Sequence, residues 1–314
     1  MAVGGNALTG EGQSGTYPEI AANAAVTAVP LAGLRDQGWQ IAVVHGNGPQ
    51  VGNLSMQQDA AEHDVPVQPL HQLCAMTQGQ LGSVLARAID DRCGPGTAVA
   101  LVTHVRVDLQ DPAFAQPTKP IGPFLSEHQA LELAAARGWT VVEDSGRGHR
   151  RVVASPRPLE VLEVGAVRTL LDAGHVVLAA GGGGVAVAVH DDGSVRGADA
   201  VIDKDHASAL LATAVGATEL YLLTGVDCVQ LDFGTPRQRP AHHLTPEEAA
   251  RHLHDGQFPP GSMGPKIVAA LRFLQDGGHR AIITSAELLA DAAAGKPDVG
   301  TTIALPQALA GQAS

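Results

Sequence analysis

Cysteine is scarce in this 314-residue chain: Cys74, Cys93 and Cys228 are the three present, an odd number, and they stand far apart. They fit neither a disulfide framework nor the paired spacing of a zinc site, and they point to a reducing compartment. Basic residues are also few, with 20 Lys and Arg against 32 Asp and Glu and a formal net charge of −12. That balance disfavours a nucleic-acid backbone or an anionic membrane as the main partner, so any anionic ligand must be captured locally. Long apolar runs are missing as well. Stretches such as Ala98 to Val102 and His175 to Ala180 stop well short of a membrane span, and no lysine-flanked apolar segment opens the chain. The expectation is a soluble, cytoplasmic protein. Neither the P-loop pattern nor the dinucleotide-binding fingerprint occurs with its strand and helix context, which disfavours an NAD-dependent dehydrogenase.

What is present is a 45% hydrophobic chain, long enough to bury a large core as one big domain or two modest ones. Short β-branched runs recur at Gln40 to Val44, Ala98 to Val102, His175 to Ala180, Glu219 to Thr224 and Arg280 to Thr284, each followed by a helical pattern. Continuous apolar strands alternating with helices predict an α/β fold with a mostly parallel sheet covered on both faces. Helices are predicted over Ala21 to Gln37, Asp205 to Gly216 and Lys266 to Gly277, the last with Ile267, Ala270, Leu271 and Leu274 on one face. Only Met1, Ala2 and Val3 precede Gly4-Gly5-Asn6, so the first strand is either very short or begins upstream of the recorded start. Between Asp108 and Pro158 the rhythm breaks: Pro112, Pro117, Pro120 and Pro123 crowd together, with a short helix over Ser126 to Arg137 and a strand over Thr140 to Glu143. That stretch, centred on residues 110–155, reads as a lobe inserted into a single domain spanning residues 1–314.

Glycine, 37 residues in all, falls in blocks at the ends of apolar runs: Gly4-Gly5-Asn6, His45-Gly46-Asn47-Gly48-Pro49-Gln50-Val51-Gly52, and Gly181 to Gly184. Each block would lie at the carboxyl end of a strand, where open α/β sheets bind ligands. Consecutive glycines let backbone N–H groups approach a small anion or a transferring phosphoryl group. Any one block also reads as a structural turn; three after different strands favour a cradle. Asp203-Lys204-Asp205 follows Val201-Ile202 and opens a helix, and Lys266 opens another behind the loop Gly261-Ser262-Met263-Gly264-Pro265. A lone Asp-Lys-Asp is ordinarily a solvated charge run, and Lys266 could merely begin an amphipathic helix. Two lysines at loop-to-helix junctions would, however, supply the cations that phosphoryl transfer needs. No cysteine sits in a nucleophilic constellation. Among the 14 histidines, His45 stands inside a glycine loop and could touch ligand, whereas His71, His104, His149 and His206 read as structural.

The segments GGNAL (Gly4 to Leu8), HGNGPQVG (His45 to Gly52), AMTQGQ (Ala75 to Gln80), DPAFAQPTKPIGPF (Asp111 to Phe124), GRGHRRVV (Gly146 to Val153), AAGGGG (Ala179 to Gly184), VIDKDHASA (Val201 to Ala209) and GQFPPGSMGPKIVAA (Gly256 to Ala270) resemble carbamate kinases of the amino-acid kinase superfamily, nearly from end to end. The resemblance implies an open, three-layer αβα sandwich with a mainly parallel sheet, a small protruding subdomain and a homodimer. It implies reversible phosphoryl transfer between ATP and carbamate, in practice ATP formation from carbamoyl phosphate and ADP during arginine or related nitrogen catabolism. Lys204 and Lys266 would contact the phosphates, Asp205 would orient them, and Lys119 would reach over the acceptor side. Gly4, Gly5, Asn6, Gly46, Asn47 and Gly48 would hold the acceptor, and Gly181, Gly182 and Gly183 would flank the phosphoryl path. Thr224, Val226, Asp227, Ser262, Met263 and Gly264 would border the nucleotide. Magnesium would arrive on ATP or ADP oxygens, consistent with the lack of a compact carboxylate set in the sequence. Two positions depart from the family pattern: His104 stands where Gln is usual, and His149 where an aromatic is usual. A same-fold kinase of another small acid and a non-catalytic ligand sensor are the alternatives, since fold alone does not fix the acceptor.

Overall fold

The computed structural model describes residues 1–5, 8–10, 12–144, 146–259 and 261–305. In the first third, β1 (Ala2–Val3) leads to α1 (Tyr17–Asp36), β2 (Ala42–His45), α2 (Gly48–Ala60), α3 (Leu70–Cys93), β3 (Ala98–Ala100) and β4 (His104–Arg106). The middle runs through β5 (Lys119–Leu125), α4 (Glu127–Arg137), β6 (Thr140–Glu143), β7 (His149–Val153), β8 (Glu160–Val161), α5 (Val164–Asp172) and β9 (Val176–Leu178). It continues through β10 (Val185–Val189), β11 (Val195–Gly197) and α6 (Lys204–Val215). The last third comprises β12 (Glu219–Leu223), β13 (Val229–Leu231), β14 (Arg239–Ala241), β15 (His243–Leu244), α7 (Pro246–His254), α8 (Met263–Gln275), β16 (Arg280–Thr284), α9 (Leu289–Ala293) and β17 (Thr301–Ala304).

The central sheet has the order β15-β17-β16-β12-β1-β2-β9-β3, parallel except where β17 meets β16 antiparallel. Its inner strands are buried on both faces, which is why Val-Val-Leu in β9 and Glu-Leu-Tyr-Leu-Leu in β12 read as runs with no alternation. Ile282 and Leu223 pack on one side with α1, α3 and α9; Ile283, Leu220 and Leu222 pack on the other with α6 and α8. The two layers of helix and the sheet between them form the sandwich expected from the sequence. Chain order runs outward in opposite directions from β1: to β2 on one side and to β12 on the other. Such a reversal opens a crevice at the carboxyl ends of the strands.

Besides the β13-β14 pair there are two further sheets, of which the sequence reading contained only the strand over Thr140 to Glu143. One, β11-β10-β4-β8, lies beyond β3, and the chain passes from β3 into it through Thr103. The other, β5-β7-β6, carries α4 and lies within the stretch read from sequence as a lobe, hereafter the lobe. Its helix is closed at the start by a reciprocal Ser126–Gln129 capping box and stopped by left-handed Gly138. The lobe docks on α2 through a backbone-to-backbone approach. A Cβ added at Gly52 would stand 2.0 Å from the Gly122 nitrogen, so no larger residue fits there without moving β5. A small core of Val51, Leu73, Cys74, Ile121, Val153 and Val201 seals the junction.

Candidate active site

Six segments converge at the crevice: Gly4-Gly5 after β1, Leu223-Thr224-Gly225 after β12, Ala286-Glu287 after β16, Asp203 to Asp205 at the start of α6, Gly261, Ser262, Pro265 and Lys266 at the start of α8, and Lys119 at the start of β5. They enclose a cleft of about 360 Å³. The helix start of α6 is set by Asp203, whose Oδ1 accepts from the Asp205 N–H at 2.9 Å. That cap leaves Lys204 at the first helical position and turns Asp205 inward, where it is 3% exposed.

One carboxylate holds two lysines. Lys204 Nζ donates to Asp205 Oδ1 at 2.8 Å, and Lys266 Nζ donates to Oδ2 at 3.2 Å and to the Ser262 carbonyl at 3.4 Å. Opposite, Lys119 Nζ reaches from the lobe to Asp203 Oδ2 at 2.5 Å. Burial opposes ionisation of Asp205, but Lys204 and Lys266 outweigh it and hold its carboxyl below the usual range. The same contest, won by Lys119 and Lys204, holds Asp203 far below that range. The two lysines on Asp205 differ. Burial is overcome at Lys204 by Asp205 and Asp203, and its ammonium is held more firmly than usual. At Lys266 burial prevails, reinforced by repulsion from Lys204 and only partly offset by Asp205, and its pKa falls. The geometry agrees, since Lys266 has the longer bond to Asp205. Lys266 is thus the less fully compensated of the two cations on Asp205. Three ammonium groups against two carboxylates leave the inner cleft with a positive surplus, while Glu287 is exposed at the rim.

The sequence-predicted residues separate into groups. Lys119, Lys204, Asp205, Lys266, Gly4, Gly5, Thr224 and Ser262 line the cleft together. Gly46 is buried against it, since a Cβ there would meet the Gly5 nitrogen at 2.9 Å and the Lys204 stem at 3.2 Å; Gly48 faces the Pro120 carbonyl of the lobe. Asn6 lies outside the described residues. Asn47 is 3% exposed and spends its side-chain amide on Thr77 Oγ1 at 2.9 Å. Gly181, Gly182 and Gly183 are fully buried and absent from the cleft wall; they form a floor under His45, Asn47 and Ile202. Val226, Asp227, Met263 and Gly264 also stand outside the lining, with Val226 exposed and Gly264 buried against Pro259. His45, read from sequence as a possible ligand contact, is 2% exposed with Nδ1 3.1 Å from the Gly46 carbonyl. Burial pushes its pKa down to about 4, so the ring is neutral and structural. His104 Nδ1 sits 2.7 Å from Glu163 and His71 Nδ1 2.9 Å from Asp199, away from the cleft. Sequence reasoning misses Asp203 as a site residue, although its position between an apolar strand-like run and a helix start signals a cap. It also misses Ala286 and Glu287, and their place after β16 is the signal that would find them.

Lysines in the first turns of two helices, bridged by one buried carboxylate at the reversal point of a mostly parallel sheet, make an arrangement chemically suited to phosphoryl transfer. The chain belongs to the amino acid kinase family, whose model matches residues 1–285. Among its curated relatives is a carbamate kinase from Pyrococcus horikoshii, 42% identical over 308 residues, covering 96% of this chain and 98% of the relative. The solved carbamate kinase from Giardia lamblia bound to citric acid superposes with a TM-score of 0.91 at 38% identity, covering 97% of each chain. The same Giardia protein bound to AMP-PNP gives a TM-score of 0.87 at 38% identity and the same coverage.

Proposed function

We propose that the chain catalyses reversible phosphoryl transfer between ATP and carbamate, running toward ATP from carbamoyl phosphate and ADP in arginine or related nitrogen catabolism. The observation that carries this reading is the Lys204–Asp205–Lys266 bridge with Lys119 poised across the cleft from it. In the ATP-forming direction a terminal oxygen of ADP attacks the phosphorus of carbamoyl phosphate in line. The new P–O bond forms as the bond to the carbamoyl oxygen breaks, and carbamate leaves with the electron pair. Lys204 and Lys266 neutralise charge on the transferring group, Asp205 keeps the two ammonium groups apart and aimed, and Lys119 covers the acceptor oxygen. Gly4, Gly5, Asn6, Gly46, Asn47 and Gly48 shape the acceptor end, largely through backbone, with Gly181 to Gly183 beneath them. Thr224 and Ser262 face the nucleotide end, with Val226, Asp227, Met263 and Gly264 around it.

The inner carboxylates Asp203 and Asp205 are occupied by lysines, and among the described residues no cluster of three or more metal-ligating side chains gathers. Magnesium would come with the nucleotide and would supply further charge neutralisation there, beside that of Lys204 and Lys266. Among the described residues no helix is long and apolar enough to cross a membrane. We read the protein as a cytoplasmic homodimer, and residues 110–155 as a lobe within one domain. The test is ATP formation from carbamoyl phosphate and ADP with magnesium, comparing the parent with Lys204→Ala and Lys266→Ala. Each variant is expected to lose about 10²- to 10³-fold in kcat. A folded parent with no turnover would overturn the reading.

A further inference from the structure

A buried chain of hydrogen bonds runs from α3 to the floor of the site. The Gln78 side chain binds Thr103 three times: Nε2 donates to the Thr103 carbonyl at 3.1 Å, and Oε1 accepts from the Thr103 N–H and hydroxyl, both at 3.0 Å. Thr103 Oγ1 in turn accepts the Ala180 N–H at 2.6 Å. Gln78 is 2% exposed and Thr103 is 0% exposed, so none of these bonds competes with water. Ala180 is held left-handed, at φ 49° and ψ 31°, a conformation that a residue with a Cβ adopts only when its surroundings impose it.

The three glycines after Ala180 give that strain its consequence. Gly181 lies under the His45 ring, Gly182 under the Asn47 amide, and Gly183 against the Ile202 carbonyl; added Cβ atoms would stand 2.2, 2.2 and 2.3 Å from these groups. His45 and Asn47 flank Gly46, which abuts Gly5 and the Lys204 stem. Ile202 immediately precedes Asp203 and Lys204. A second strut from α3 secures the same place, because Thr77 accepts the Asn47 amide and donates its own hydroxyl to the Cys74 carbonyl at 2.7 Å. The glycine floor therefore sets the spacing between the Gly46 to Gly48 loop and the loop that carries Lys204.

We propose that Gln78 and Thr103 are positioning residues for phosphoryl transfer, holding Ala180 and the Gly181 to Gly183 floor so that the acceptor loop and Lys204 keep their mutual distance. This rests on the phosphoryl-transfer reading above. Neither residue touches the cleft; both act through Ala180. Removing the Thr103 hydroxyl leaves the Ala180 N–H without its acceptor and Gln78 Oε1 with one bond fewer, and the floor relaxes.

Thr103→Val keeps the side-chain shape and deletes the hydroxyl; Thr103→Ser keeps the hydroxyl. In the ATP-forming assay, Thr103→Val is expected to lose between about tenfold and about a hundredfold in kcat, the scale of a small misplacement of reacting groups. Its KM for ADP stays within about twofold of the parent, because uniform nucleotide binding is untouched, and Thr103→Ser restores most of the turnover. Amide hydrogen exchange in Thr103→Val is expected to rise in peptides covering 45–48 and 203–205 while β12 and β16 stay protected. A folded Thr103→Val with parental kcat and parental exchange at those peptides would overturn the proposal. So would activity that falls only in proportion to the folded fraction. If the parent itself makes no ATP, the functional reading fails separately, and the exchange pattern alone decides whether the relay sets the two loops.

Discussion

The body of the site and the lobe over it hold their lysines by different means. Lys204 and Lys266 stand at the starts of helices packed on the central sheet, tied to a carboxylate 3% exposed. Lys119 stands on a three-stranded sheet whose outer strand β6 and helix α4 bury little, α4 contributing only Ala130. Its place is set by the Gly52–Gly122 contact and one ion pair to Asp203. In the body, charge balance maintains the geometry; in the lobe, steric fit does. A region of the first kind fails when a counter-charge is removed, and one of the second kind fails when a methyl group is added.

Asp205→Ala puts the most severe strain on this contrast. It strands two buried ammonium groups and is expected to cost about 3–5 kcal/mol of stability, together with nearly all activity. Denaturant unfolding of variant and parent measures it, and a loss below about 1 kcal/mol would mean that charge does not govern the body. Next is acid sensitivity. His45's folded pKa of about 4 lies below its ordinary value of 6.5. Stability from the neutral ring is therefore fully present above about pH 6.5 and is lost as pH falls toward 4, by up to about 3 kcal/mol. Asp203 and Asp205 have depressed values, so their contribution persists above about pH 3.9 and does not account for loss in that window. Unfolding midpoints across pH 4 to 7 are expected to show a shallower slope for His45→Gln than for the parent.

The lobe is tested by smaller perturbations. Gly52→Ala drives a methyl group into Gly122 and is expected to cost about 1–3 kcal/mol. Because the strain falls where β5 carries Lys119, KM for carbamoyl phosphate should rise more than KM for ADP. Equal changes in both would show that the lobe does not serve the acceptor. The smallest effect is assigned to Lys119→Met, which removes one charge-assisted contact worth about 1.5 kcal/mol and is expected to raise KM for carbamoyl phosphate roughly tenfold. Thermal unfolding of that variant should fall only modestly, since Asp203 loses the Lys119 ammonium but keeps Lys204 as a counter-charge.

Much of this architecture is legible in the residues, and the exceptions share a cause. The strands at β2, β9, β12 and β16 and the helix that starts at Lys204 announce themselves through apolar runs and a charged helix start, whereas the helix that carries Lys266 begins three residues earlier than read, at Met263. Gly181 to Gly183, read as flanking the phosphoryl path, lie beneath His45 and Asn47 and do not line the cleft. A glycine admits a close approach by any neighbour, and its sequence neighbours do not tell which one arrives. Likewise Gln78 and Thr103 carry no local signature, because a buried amide and hydroxyl acquire meaning only from a partner 25 residues away in the chain.

Residue order alone suffices for the alternation of apolar strand and helix, the presence of the lysine-bearing helices and the family to which the chain belongs. Those are properties of short segments, written in periodicity, caps and contiguous motifs. It took the folded arrangement to make one carboxylate serve two lysines, to carry Lys119 across to Asp203, and to set one glycine block beneath His45 and Asn47. These features depend on distances between segments far apart in the chain, which packing sets and local residue order does not encode.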